Sequence, residues 1–178
     1  MNNLLAPHTI DHYLALFGAK RNKLGVHWET TGEPGEETLH FRLAFDGEEP
    51  ETQGCIDIFE LLKSVCANGL YDIHSCTCGQ PGCAGFTGGT TVVHMSGLVL
   101  WKTDAGRIES LYLFEYPQFR EEILRASRDA LTFLDRTDKR SLAYDDATLE
   151  QLAIAIEAAE DDQDRVLHPL ADSKEPEW

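Results

Sequence analysis

A chain of 178 residues is of single-domain length, and a hydrophobic share of 42% is enough to bury a core and excludes global disorder. The 31 acidic and 15 basic residues leave a formal charge of −16, which repels nucleic acid and favours a basic protein partner. No run of about 18 apolar residues is present, which excludes a membrane-spanning helix.

The N-terminus, Met1 to Pro7, lacks the basic and apolar regions of a secretory signal, so a cytoplasmic protein is expected. Thr9 caps a short helix through Ile10, Tyr13, Leu14 and Phe17, with Gly18 as its stop. Lys20, Arg21 and Lys23 follow as a small basic turn. Leu24 to Thr30 and Leu39 to Phe45 read as a hairpin. In its second strand Leu39, Phe41, Leu43 and Phe45 recur with the period of a half-buried strand. The polar stretch Thr31 to Glu37 is the turn between them, and Asp46 to Gly54 is a loop.

Asp57, with Glu60 three positions on, caps a helix whose stripe is Ile58, Leu61, Leu62 and Val65. Asn68-Gly69 ends it. Cys55 and Cys66 flank this helix and read as small buried hydrophobes. A strand from Leu70 to Cys76 leads into a cysteine loop. Thr90–Met95, Leu98–Thr103 and Arg107–Tyr116 then form a meander joined at Ser96-Gly97 and Asp104-Ala105-Gly106. Leu111 to Phe114 is apolar on both faces, the mark of a central strand covered by helices.

Pro117 opens a helix to about Asp135. Asp145 or Asp146 caps another, with Leu149, Leu152, Ala153 and Ile156 on one face. From Pro117 onward 16 acids stand against 8 bases, so the negative charge is densest in these last helices. The pattern predicts one α+β domain over residues 1–170, with a mobile tail at 171–178. Its antiparallel sheet has five to six strands, arranged as hairpin plus meander and packed with about four helices.

The densest chemistry is Ile73 to Gly85, which holds three of the five cysteines, a histidine and three glycines. An odd cysteine count points away from a disulfide framework and toward thiols or a metal. Cys76, Cys78 and Cys83, brought together by the turn at Gly79, Pro81 and Gly82, supply three soft ligands for zinc. The fourth is His74, on the same strand parity as Cys76, or His94, returning across the next hairpin. An iron–sulfur cluster would want a fourth cysteine. A reversible disulfide ranks below both, because a Cys-x-Cys ring is strained.

Elsewhere there is no G-x-S-x-G elbow and no H-E-x-x-H motif. Gly85, Gly88 and Gly89 form a turn without the lysine of a phosphate loop. Asp72 and His74 share a strand face and are the one acid–base candidate pair, while His27, His40 and His168 stand alone. Phe59, the run Cys76, Cys78, Gly79, Gly82, Cys83, Ala84 and Gly85, then His94 and Trp101 form a further pattern. It is similar to a group of small bacterial proteins of uncharacterised function. The resemblance covers about a quarter of the chain, implies that the cysteine loop is one unit, and brings no activity with it.

Two expectations follow. The first is an acidic cytoplasmic binding module with a structural zinc loop, such as an immunity or inhibitor protein for a basic toxin or enzyme. The second is a thiol- or metal-dependent enzyme, or a redox- or metal-responsive protein, that uses the cysteine cluster.

Overall fold

A computed structural model describes residues 20–33, 38–50, 54–75, 88–105, 108–137 and 149–161, together with Ala15. The N-terminal helix expected from Thr9 to Phe17 (but for Ala15) and the tail at 171–178 lie outside the described residues.

The described chain is α+β. Its strands are β1 (Leu24–Thr31), β2 (Thr38–Phe45), β3 (Cys55–Ile56), β4 (Gly69–Tyr71), β5 (His74–Ser75), β6 (Thr90–Met95), β7 (Leu98–Ala105) and β8 (Ile108–Glu115). Its helices are α1 (Ile58–Cys66), α2 (Tyr116–Thr137) and α3 (Leu149–Asp161). They build two antiparallel four-stranded sheets, ordered β1-β2-β3-β5 and β4-β6-β7-β8.

Side-chain alternation explains the first hairpin. Leu39, Phe41, Leu43 and Phe45 are all buried, and β1 answers with Leu24 and Val26 on the same face. Two-residue turns close two tight connections. At Ser96-Gly97, φ is 40° and 82°; at Asp46-Gly47 it is 56° and 88°. Both central residues are left-handed, the geometry whose twist matches flanking antiparallel strands.

Three details depart from the expected strands. The run from Leu70 onward is broken: β4 pairs with β6 in one sheet, and β5 pairs with β3 in the other. Cys55, expected just ahead of a helix, is itself in a strand. A two-residue strand shows no periodicity, so nothing local marked it. β8 is the last strand of its ladder rather than a central one.

The two sheets are nonetheless joined at both ends. Residues 69–75 serve both, and a parallel bridge links Asn22, just ahead of β1, to Phe114 on β8. Asn22 is buried, and its polar atoms are matched. Its N–H donates to the Leu113 carbonyl at 2.7 Å, and its Oδ1 accepts from the Leu113 N–H at 3.0 Å. Its Nδ2 donates to the Asp46 carboxylate at 2.8 Å.

Helix α2 closes the open side of β1 with side chains. Gln118 accepts from the Leu24 N–H at 3.2 Å and donates to the Leu24 carbonyl at 2.6 Å. Glu122 accepts from the Val26 N–H at 3.0 Å, and Arg125 donates to the Val26 carbonyl at 2.8 Å. Three residues at near-helical spacing thus complete the hydrogen bonding of alternate strand residues.

The main core lies between the sheets and the helices, centred on Trp101, Phe114, Phe119, Leu43, Ile56 and Leu61. Phe45, Trp101, Phe114 and Phe119 stack or meet edge to face, with centroids 5.6–6.2 Å apart. On the opposite face of the second sheet, Val93, Leu100 and Leu113 form a separate buried cluster. Leu113 thus packs on one face of β8 and Phe114 on the other, but among the described residues the Leu113 side is lined by strand neighbours and not by the helices its sequence suggested. Asp57 caps α1, its Oδ1 accepting from Phe59 N–H at 2.9 Å and Glu60 N–H at 3.1 Å.

Candidate functional site

The short strands β3 and β5 pair Cys55 with Ser75, the residue that immediately precedes Cys76. The same register sets Ile56 opposite His74. Paired residues share a face, so Cys55 and Ser75 lie on one side of the sheet, and His74 lies with Ile56 on the other. Cys55, Ser75 and His74 are all buried. Ser75 Oγ donates to the Cys55 carbonyl at 3.5 Å, a long bond.

Cys76, Cys78 and Cys83 lie outside the described residues. Of the two histidines proposed to join them, His94 bonds to helix α1 through one ring nitrogen. Its Nε2 lies 2.9 Å from the Ser64 carbonyl on α1, which accepts, so this nitrogen carries the proton. Its own N–H donates to Asn68 Oδ1 at 2.7 Å, and its ring meets Tyr116 edge-on at 5.4 Å. His94 thus clamps α1 and the start of α2 to β6. His74 instead sits two residues from Cys76, on the strand that runs into the loop.

One contact escapes sequence reasoning: Cys55 Sγ lies 3.8 Å from His40 Nδ1. His40 is on β2, and neither residue has a local signature; only the strand register, carried by Phe41 opposite Ile56, brings them together. Burial pushes the Cys55 thiol up, against a smaller opposing pull from the Arg42 charge. Burial, helped by Arg42, pushes His40 down, and Glu29 opposes it. Both shifts favour the uncharged forms. A nucleophilic thiolate–imidazolium pair requires the reverse, so this contact is a neutral thiol beside a neutral imidazole. Arg42 is itself held by Glu29 at 2.9 Å.

The acid–base pair read at Asp72 and His74 does not form a common face. The strand breaks between β4 and β5, leaving Asp72 exposed while His74 is buried. His27 pairs with Glu49 at 2.8 Å on the surface. Cys66 stays with the helices, its Sγ 3.8 Å from the Leu62 carbonyl and 3.9 Å from that of Ala158 on α3. Among the described residues no three His, Cys, Asp or Glu converge as a metal site.

The charged residues pair systematically. Lys20 with Asp46, Arg21 with Glu115, Lys63 with Glu60, Arg125 with Glu122 and Asp129, and Arg128 with Glu160 all lie within 4 Å. Glu122 stays below the usual carboxylate range; burial opposes this, and bonds from Arg125 and the Val26 N–H outweigh it. Arg120 donates to the Ala159 and Glu160 carbonyls at the end of α3, a favourable use of a cation at a helix C-terminus.

No family model matches this chain, and no curated protein or solved structure is significantly similar to it. Among the described residues no helix is long and apolar enough to cross a membrane.

Proposed function

We propose that the protein is an acidic binding module of the cytoplasm that captures a basic protein, in the manner of an immunity or inhibitor protein, and that zinc braces its cysteine loop. The observation that carries this is how the charge is distributed. Six of the fifteen bases, Lys20, Arg21, Arg42, Lys63, Arg125 and Arg128, are paired with carboxylates of the same molecule, and the chain carries 31 acids against 15 bases in all, so its net field is strongly negative. Such a field raises the encounter rate with a basic surface and does so most at low salt.

For the zinc, Cys76, Cys78 and Cys83 are the ligands, with His74 as the fourth. His74 is preferred to His94 for its position, two residues before Cys76 on the strand that runs into the loop. The role of the metal is to stabilise the loop at the mouth of β5, with no part in a reaction.

Titration against small basic enzymes tests the binding, with their activity followed alongside, at about 50 and 500 mM salt to vary the screening. Tight, salt-sensitive binding with inhibition of one such enzyme supports the reading. Binding no stronger than to an acidic control protein ends it. The second reading, a thiol- or metal-dependent enzyme or redox-responsive protein, is separated by metal content and thiol counting. Metal-free protein with rapidly reacting Cys76, Cys78 or Cys83 favours it over a zinc-braced module.

A further inference from the structure

Helices α1 and α3 leave between them a groove of about 900 Å³. Phe59, Leu62 and Cys66 line it from α1, and Ile154, Ala155 and Ala158 from α3. These positions recur at helical spacing along both walls, so the apolar floor runs parallel to the helices. Ile154 is 57% exposed, one of two large hydrophobics so exposed among the described residues. The other, Leu70, precedes Tyr71, which also lines the groove.

The rim is acidic. Asp57 and Glu60 border the groove on one side, and Lys63 there is already paired with Glu60 at 2.6 Å. On α3, Glu157 and Asp161 fall three and seven residues after Ile154, on its side of the helix, and both are exposed. α3 itself contains no basic residue. Its last carbonyls receive Arg120 and its Glu160 pairs with Arg128, so the acids it turns outward beside Ile154 are Glu157 and Asp161.

We propose that this groove receives an amphipathic helix of a basic partner, with aliphatic side chains seated between Phe59, Leu62 and Ile154 and Lys or Arg lying over the acidic rim. This rests on the binding reading above and names its surface. The elongated two-helix floor and charges on both rims fit a helix laid lengthwise, the groove-binding mode read as anchors at i, i+3, i+4 and i+7.

The probe is a fluorescent synthetic peptide of three heptads, with leucines on one stripe and lysines elsewhere, titrated into the full chain. A scrambled peptide of equal composition and a leucine–glutamate version serve as controls. Ile154→Lys and Ala158→Lys each add one positive charge at exposed groove positions, and Glu48→Lys makes a surface charge change of twice that size away from it; circular dichroism verifies their folding. The patterned peptide should bind at least about tenfold tighter than the scrambled one, and Ile154→Lys should cost about tenfold while Glu48→Lys costs about twofold or less. Bound peptide should also slow alkylation of Cys66, mapped by mass spectrometry.

If all three variants weaken binding equally, the groove is wrong while the basic-partner reading stands. If neither lysine peptide binds, both fail. Preference for the glutamate peptide overturns the stated occupant. So does self-association that Ile154→Lys abolishes, which would make a second copy the occupant.

Discussion

Asn22 and Leu113 exchange two hydrogen bonds across 91 residues of sequence, one from the Asn22 backbone and one to its side chain. The side-chain amide stands in for a further strand residue where the backbone of Asn22 meets β8. Replacing it with alanine leaves the buried Leu113 N–H without its acceptor and the Asp46 carboxylate without Nδ2. Asn22→Ala should therefore cost about 2–3 kcal/mol, measured as a shift in the urea midpoint at unchanged slope. A loss under about 0.5 kcal/mol would mean that water replaces the amide freely.

Asp46 makes acid stability a second test. The Lys23 N–H bonded to its Oδ1, and then Asn22, hold its carboxyl below the ordinary 3.8. A depressed folded-state value contributes stability that is present above the unfolded value and is lost as pH falls through the folded one. Asp46→Asn should cost about 1 kcal/mol near neutral pH, the size expected of a largely exposed hydrogen-bonded carboxylate. Its stability should converge on that of the wild type below pH 3.8. A constant difference across that range would show that the charge of Asp46 is irrelevant.

Asp57 should behave with the opposite sign. Burial raises its carboxyl above the ordinary 3.8, and the two capping N–H groups only partly offset this. A raised folded-state value gives stability that is full below the unfolded value and declines as pH rises through the folded one. Asp57→Asn keeps the cap and should remove that decline. Asp57→Ala should remove the decline as well and lie about 1 kcal/mol below Asp57→Asn at every pH, because the cap itself is gone. Thermal melts between pH 3 and pH 7 distinguish the two variants.

For the loop, Cys78→Ser should release zinc and lower the melting temperature by several degrees, since a structural metal contributes folding free energy. His74→Ala should do the same. His94→Phe should retain the metal yet still destabilise, through the lost bond to Ser64. Metal loss in His94→Phe and not in His74→Ala would reverse the ligand assignment.

Cys55 should be inert in the folded protein. With its thiol pushed up by burial, alkylation at pH 8 should run about 100-fold slower than in urea, when followed peptide by peptide. Rapid labelling, slowed further in His40→Gln, would mark the pair as an activated thiol.

Where the chain repeats a pattern, its sequence reveals the fold. The alternation from Leu39 to Phe45 sets the first hairpin, Ser96-Gly97 marks a type of turn that few residue pairs adopt, and Asp57 announces α1. Short and long-range features are hidden. β3 is too brief to show a period, and the His40–Cys55 contact depends on register between strands 15 residues apart. The groove was invisible for a related reason: Cys66 and Ile154 read as separate helix positions until α1 and α3 pack together. Charge was legible in amount only, because the pairing that spends the bases is a property of the folded surface.

The way α2 treats β1 has a consequence beyond the single molecule. A bare strand edge is a template on which another chain's strand can grow, and Gln118, Glu122 and Arg125 occupy the donors and acceptors that such growth would use. Those three side chains act as a capped end to the sheet. A chain carrying Gln118→Leu together with Glu122→Leu would still have its helix, but β1 would offer open bonding sites to its neighbours, and fibrous or swapped assemblies would be its fate at high concentration.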